Sequence, residues 1–478
     1  MSATPQLITY PDRLAPDLPA LRVLLDGPLS GVFGGVHVLP FFEAIDGADA
    51  GFDPTDHTVV DPRVGGWDDV RALAEGRTVC ADLIVNHAST RSPQFLDWLE
   101  KGEASPYAAM FLTPEKVFGG VPSDDERAAI YRPRPTPPFT DVEFADGSVR
   151  AIWTTFSARQ ADIDVESPEG WAYLSGILDR FASAGIGIVR LDAAGYAVKR
   201  AGTSCFMLPE TFEVIDRLVE ECHERGMQVL AEVHGHFTEQ IGLAERVDLV
   251  YDFALPPLAI DGLLHGDARP LEEWIRLRPD NSVNVLDTHD GIGVIDVGGV
   301  DGDPLRPPLL AAERIHDLVE SIHENSNGQS RQATGAAASN LDLYQVNSTF
   351  YDALGRDDAR YLAARTIQLL LPGIPQIYYV GLLAGENDMD LLASTGQGRE
   401  INRHRYTHHE IGAALERPVV RSLLDLLRWR MTEPAFDGVF ELLDSPDHEL
   451  AVRWTGETSR VERIIDLRTA TVTDPLTT

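Results

Sequence analysis

Short apolar runs rich in β-branched residues alternate with amphipathic helical stretches along most of this chain, as parallel βα units require. Eight runs carry the pattern, at residues 7–10, 36–39, 79–85, 186–191, 229–233, 249–253, 283–286 and 374–380. Several are apolar from end to end, as strands covered on both faces must be. Eight is also the number that closes a ring of parallel strands, so the predicted fold class is α/β, a (β/α)8 or TIM barrel. The helices between the runs are punctuated. Ser167 stands where an N-cap belongs, Pro168 takes the first helical position, and Gly185 ends that helix. Pro209-Glu210 opens another, with Phe212, Ile215, Leu218 and Val219 on one face and Gly226 at its end. Trp171, Leu174 and Leu178 are expected in the core.

Two stretches interrupt the alternation. Residues 86–167 follow the third run and are rich in Pro, Phe and Gly; residues 292–353 follow the seventh and contain the string Gly335-Ala336-Ala337-Ala338-Ser339-Asn340. Neither is assigned regular structure. Both leave C-terminal strand ends, the face where active sites of this architecture gather, so both are expected to serve a site. Beyond about Pro434, alternating runs at 438–443, 449–454 and 461–467 predict a small β domain. The expected division is a barrel from residues 1–85, 168–291 and 354–434, a loop-rich insertion (domain B) at 86–167, a second (domain B′) at 292–353, and a C-terminal β domain at 435–478.

Charge and cysteine usage narrow the classes of partner. The formal net charge is −35, which disfavours nucleic acid and anionic membrane as partners. No apolar run reaches the ~18 residues of a membrane span, and Met1 to Arg13 lacks the basic-then-apolar order of a secretory leader. The cysteines, Cys80, Cys205 and Cys222, are too few and scattered for a disulfide framework, so a reduced, cytoplasmic setting is expected. Lysine occurs only at Lys101, Lys116 and Lys199; genome-wide composition bias and adaptation to a salty cytoplasm both fit that.

Three carboxylates sit at or beyond run ends. Asp192 ends Ile188-Val189-Arg190-Leu191-Asp192, Glu232 lies in Val229-Leu230-Ala231-Glu232-Val233-His234, and Asp290 closes Val285-Leu286-Asp287-Thr288-His289-Asp290. Any one could instead cap the next helix. Three together, each with polar neighbours, favour a common site at the barrel mouth. Arg190 precedes Asp192 by two residues, so strand alternation puts both on one face, where the guanidinium favours the ionised carboxylate. Asn86-His87 follows the third run and His289 adjoins Asp290; both histidines are read as sugar ligands. Such a set suits glycosidic bond cleavage: one carboxylate captures the sugar as an ester, a second carboxyl group protonates the departing oxygen, and a third holds hydroxyls. The sequence has no zinc-type Cys/His spacing and no glycine-rich nucleotide fingerprint between strand and helix, so no metal and no cofactor is expected.

These strings resemble glycoside hydrolase family 13, the α-amylase superfamily, and within it the sucrose phosphorylase subgroup. The resemblance covers nearly the whole chain. It runs through Leu39-Pro40-Phe41-Phe42, Asp49-Ala50-Gly51-Phe52, Ala201-Gly202-Thr203-Ser204-Cys205-Phe206, residues 286–292 and 337–347, and Gly398-Arg399-Glu400-Ile401-Asn402-Arg403. It implies Asp192 as nucleophile, Glu232 as acid/base and Asp290 as transition-state stabiliser. It also implies that Asp49, His87, Arg190, His289, Asp290 and Arg399 hold the glucosyl ring, with Phe52 and Phe156 as an apolar wall and Gln160 and His234 among the substrate ligands. Two loops rearrange in this subgroup between the fructose-releasing and phosphate-accepting steps. Their counterparts here are Arg132-Pro133-Arg134-Pro135 and Leu341-Asp342-Leu343-Tyr344-Gln345. Arg134, Asp342, Leu343, Tyr344 and Gln345 are therefore expected on the acceptor and phosphate side. Pro133 and Tyr344 stand where enzymes acting on sucrose 6′-phosphate would carry extra basic groups. Gly235-His236 and Thr136-Pro137-Pro138 depart from the subgroup pattern, both on that side.

The activity so implied is reversible, retaining phosphorolysis, with sucrose, inorganic phosphate, α-glucose 1-phosphate and fructose as substrates and products. A sister phosphorylase acting on glucosylglycerol, glucosylglycerate or sucrose 6′-phosphate, and a sucrose hydrolase or transglucosidase, are the alternatives. Monomer and homodimer both stay open.

Overall fold

The computed structural model describes residues 4–44, 49–132, 134, 136–300, 303, 305–334 and 345–474; the side chain of Asp49 is not among them. Eight parallel strands close into a barrel: β1 (Gln6–Thr9), β2 (Gly35–Val38), β3 (Thr78–Ile84), β4 (Ile188–Asp192), β5 (Gln228–Ala231), β6 (Leu249–Asp252), β7 (Ser282–Asn284) and β8 (Ile374–Tyr378). Each pairs with its sequence neighbours and β8 pairs with β1. All eight predicted runs are therefore strands. Register sets the site: Arg190 lies opposite Asp82 of β3 and Leu230 of β5, so residues of these strands meet at one height.

The helix Pro168–Ser183 begins with Ser167, whose side chain accepts from Gly170 N, and its Trp171, Leu174, Ile177, Leu178 and Phe181 are buried. Gly185 follows with φ +77, a left-handed conformation that a Cβ would penalise. The barrel interior is layered. Cys80, Ile188, Leu230, Leu249, Tyr251, Phe253, Val283 and Val285 form an apolar cluster there. A buried polar chain runs beside it, from Gln6 through Gln376, Tyr251, His37 and Asp82 to Arg190.

The two interrupting stretches hold more regular structure than the sequence reading assigned. The first contains the helices Pro93–Lys101, Pro114–Phe118 and Asp124–Ala129 and an antiparallel hairpin, Phe139–Glu143 with Val149–Trp153. Its return to the barrel pairs His87–Ser89 with Gln160–Asp162. The second contains the helix Ala312–Asn325. Its periodicity was present in the sequence, because Leu318, Val319 and Ile322 make one buried face. At its root Ile292–Gly293 pairs antiparallel with Gln345–Val346. The C-terminal segment forms an antiparallel sheet of β9 (Val439–Leu443), β10 (Glu449–Thr455), β11 (Arg460–Asp466) and β12 (Thr471–Thr473), the last of which was not predicted.

Candidate active site

Asp192 is the last residue of β4, Glu232 follows β5, and Asp290 lies in the loop beyond β7. All three line one cavity at the C-terminal mouth of the barrel, with Phe52, His87, Phe156, His289 and Arg399.

Arg190 organises the floor. Its Nη1 donates to Asp82 Oδ1 at 2.5 Å and to Asp192 Oδ1 at 3.0 Å, while Nη2 stands 3.6 Å from Glu232 Oε2. One buried guanidinium thus faces both carboxylates that the chemistry needs. Burial opposes charge on Arg190, but the surrounding carboxylates Asp82, Glu232 and Asp192 more than offset it, and its pKa is raised. Asp82 is itself buried, yet His37 and Arg190 hold its pKa well below the usual carboxylate range. Beyond Asp192 the backbone turns sharply: Ala193 has φ 55, and a Cβ on Gly195 would come within 2.9 Å of Phe206. Cys205 and Met207, left-handed without being glycine, flank Phe206, which lines the same cavity.

Asp290 is held from the opposite side. Arg399 Nη1 approaches its Oδ1 at 2.7 Å and Arg403 Nη2 at 3.7 Å. Burial would raise the Asp290 pKa, but Arg399 and Arg403 outweigh it and hold the carboxyl strongly depressed. Arg403 Nε and Asn402 Nδ2 donate to the backbone carbonyls of His289 and Thr288, which fixes this loop. His289 stacks on Phe52 with ring centroids 5.0 Å apart, and burial pushes its pKa down to about 3. A neutral imidazole there can accept or donate a sugar hydrogen bond without adding charge.

His234 lines the cavity two residues beyond Glu232. It stacks on Phe253 at 3.8 Å, its Nδ1 lies 3.3 Å from Asp296 Oδ2, and its Nε2 lies 3.7 Å from Glu232 Oε1 and 3.4 Å from Gln345 Nε2. Burial disfavours charge on this ring, but Asp296, Glu232 and Asp290 overcome it and raise its pKa. Glu232, His234 and Asp290 present three ligand atoms within 4.8 Å of one another. Arg190 and Arg399 already oppose the two carboxylates, so this grouping does not call for a cation.

Similarity to known proteins agrees with this geometry. No protein-family model matches the chain. The sucrose phosphorylase of Agrobacterium vitis is 56% identical over 97% of this chain and 95% of its own. That of Bifidobacterium adolescentis is 51% identical over 95% and 90%. The crystal structure of a sucrose 6F-phosphate phosphorylase from Thermoanaerobacter thermosaccharolyticum superposes with a TM-score of 0.93 at 38% identity, covering 99% of this chain and 95% of that one. The chain belongs to the sucrose phosphorylase subgroup of glycoside hydrolase family 13.

Against that subgroup's expected ligands, most residues converge. Asp192, Glu232, Asp290, Phe52, His87, Phe156, His234, His289, Arg399 and Arg134 all line the cavity. Arg134 lies 5.7 Å from the Phe156 ring. Arg190 is beneath the lining, and Gln160 lies behind it: Gln160 Nε2 donates to Phe52 O at 3.2 Å and is 3.0 Å from His87 Nε2, so it supports the ring and its neighbour. Gln345 bridges, its Oε1 accepting from Arg399 Nη2 at 3.3 Å while its Nε2 faces His234. The side chain of Asp49, and Pro133, Asp342, Leu343 and Tyr344, lie outside the described residues. Sequence reading passed over Arg403, Tyr196, Phe206 and Asp296. Arg403 closes the string Gly398-Arg399-Glu400-Ile401-Asn402-Arg403, one helical turn beyond Arg399. Tyr196 and Phe206 form an aromatic wall with Phe156 and Tyr131.

Asp162 and Asn86 share an internal cation. Lys199 Nζ lies 2.9 Å from Asp162 and donates to Asn86 Oδ1 at 2.8 Å, and Thr155 donates to Asp162 through both its N and Oγ1. Among the described residues no helix is long and apolar enough to cross a membrane. The three cysteines are buried and unpaired.

Proposed function

We propose that this protein is a retaining phosphorylase that transfers glucose from sucrose to inorganic phosphate, giving α-glucose 1-phosphate and fructose. The observation that carries the reading is that Arg134, Arg399 and His234 line the same cavity as Asp192 and Glu232. In a molecule of net charge −35, a phosphate needs such local cationic groups to compete with water. The names of the relatives at 56% and 51% identity point to the same substrate pair.

In the first step an Asp192 oxygen attacks the glucosyl anomeric carbon, and the bond to the fructose oxygen breaks as Glu232 gives that oxygen its proton. The product is a glucosyl ester on Asp192 and free fructose. In the second step a phosphate oxygen attacks the same carbon, the ester bond breaks, and Glu232 takes the proton the acceptor gives up. Two inversions leave the α configuration. Asp290, kept ionised by Arg399 and Arg403, holds sugar hydroxyls and opposes positive charge at the transition state. His87, His289, Phe52 and Phe156 complete the glucosyl pocket, with Asp49, Asp342, Leu343, Tyr344 and Gln345 assigned to the substrate by resemblance. The barrel, the two insertions and the C-terminal sheet are taken as separate units of the fold, and a reduced, cytoplasmic setting suits the unpaired thiols.

Incubating the protein with sucrose in the presence and absence of phosphate, and following glucose 1-phosphate, tests the proposal. Phosphate-dependent formation of the α anomer is expected. Cleavage that ignores phosphate would mark a hydrolase. Turnover only with sucrose 6′-phosphate or a glyceryl glucoside would move the acceptor assignment to a sister phosphorylase.

A further inference from the structure

Asp296 lies in a short 3-10 turn, Ile295–Val297, of the second insertion, and is fully buried. Both its oxygens are used. Oδ1 accepts from Gln240 Nε2 at 3.0 Å and from Gly235 N at 3.3 Å, and Oδ2 lies 3.3 Å from His234 Nδ1. A Cβ on Gly293 would come within 2.4 Å of the Asp296 carboxylate, so a glycine makes room for this arrangement. A carboxylate only accepts hydrogen bonds, so Oδ2 requires that Nδ1 carry the proton. The other nitrogen, Nε2, is thereby the one presented to the cavity, between Glu232 and Gln345.

We propose that Asp296 is a positioning residue that acts through His234 to adapt the acceptor side to an anion, so that phosphate is taken in preference to water. With Nδ1 occupied by Asp296, His234 can offer Nε2–H to a phosphate oxygen whenever the ring is protonated, and the buried carboxylate stabilises that state. Water, neutral and abundant, gains little from the same contact. The inference rests on the phosphorolysis reading above, and deepens it.

Asp296→Asn is the discriminating change. Its single carbonyl can keep Gly235 and Gln240 as donors, which turns the amide NH2 toward His234 Nδ1. That nitrogen must then accept, which keeps the ring neutral: with the carboxylate gone, nothing at Nδ1 stabilises the imidazolium, and the positive charge offered to phosphate is lost. The expected result is a rise of tenfold or more in KM for phosphate, with release of glucose from sucrose in the absence of phosphate changed less than twofold. In a His234→Ala background the same substitution should add less than twofold, since Asp296 works through that ring. His236→Ala serves as the control. It removes a different tie between the insertion and this loop, His236 Nε2 to Pro307 O at 2.9 Å, and should leave KM for phosphate within twofold. Should Asp296→Asn fail to fold, Asp296→Ser carries the same expectation. Equal losses in phosphorolysis and hydrolysis, an undiminished effect without His234, or an equal effect of His236→Ala would overturn the inference. If the wild-type protein makes no glucose 1-phosphate from sucrose, the functional reading itself fails; if it does and the split is absent, only the role of Asp296 fails.

Discussion

Asp192 and Glu232 share one guanidinium, and the proposed mechanism gives them separable jobs that can be read by removing one proton requirement at a time. Asp192→Asn should abolish turnover of sucrose and of glucosyl fluoride alike, by at least about 10^4-fold, because no covalent ester can form. Glu232→Gln should lose turnover of sucrose by a factor on the order of 10^2–10^4, the usual contribution of a general acid, yet still glycosylate Asp192 from glucosyl fluoride, whose leaving group needs no proton. Measuring fluoride release by each variant checks both. The sequence showed these two residues and Asp290 because strand ends announce themselves by apolar runs. It did not show Asp296, which acts on His234 from a position 62 residues away in a stretch read as irregular. Nor did it show Asp82 as a ligand of Arg190, although register puts the two side by side. Partners across a barrel depend on pairing, which hydrophobic periodicity does not encode.

Elements were more legible than contacts. All eight barrel strands, and the N-cap and terminating glycine of Pro168–Ser183, follow from local pattern alone. The insertions were harder, because their short helices bury few residues and so write weak periods. The helix Asp124–Ala129, for example, buries none of its side chains. Junctions between such elements are where small residues matter. A Cβ at Gly398 would sit 2.1 Å from the Ala333 carbonyl oxygen and 2.7 Å from the Asn347 amide. Gly398 heads the turn Gly398–Asn402 that delivers Arg399 to Asp290. Gly398→Ala should therefore push this turn away from the second insertion, costing about 1–3 kcal/mol of stability and at least tenfold in sucrose turnover, with Ala at the open, exposed Gly412 as a comparison. Thermal unfolding and steady-state rates on both variants test it.

Over the whole molecule, buried histidines set the acid limit. Burial lowers the pKa of His57 to about 4 and of His289 to about 3, against 6.5 when exposed. Their folded forms refuse protons that the unfolded chain accepts, so stability is full above about pH 6.5 and declines as pH falls toward 4. The slope is about 1.4 kcal/mol per pH unit for each histidine. His234, whose pKa is raised, acts in the other window, above 6.5, where its charge and the stability tied to it are lost as pH climbs. Urea unfolding between pH 4 and 8 should show the acid branch, and His57→Asn should flatten it. The ammonium of Lys199, wedged between Asn86 and Asp162, has a different reach. It braces the root of the first insertion with a counter-ion that is bonded to the polypeptide and cannot be stripped away. Chelators should leave unfolding temperature and turnover untouched, whereas Lys199→Met should cost about 3 kcal/mol by stranding Asp162. The root of the first insertion thus carries its counter-charge in the sequence itself, fixed in number and position by the same chain that it steadies.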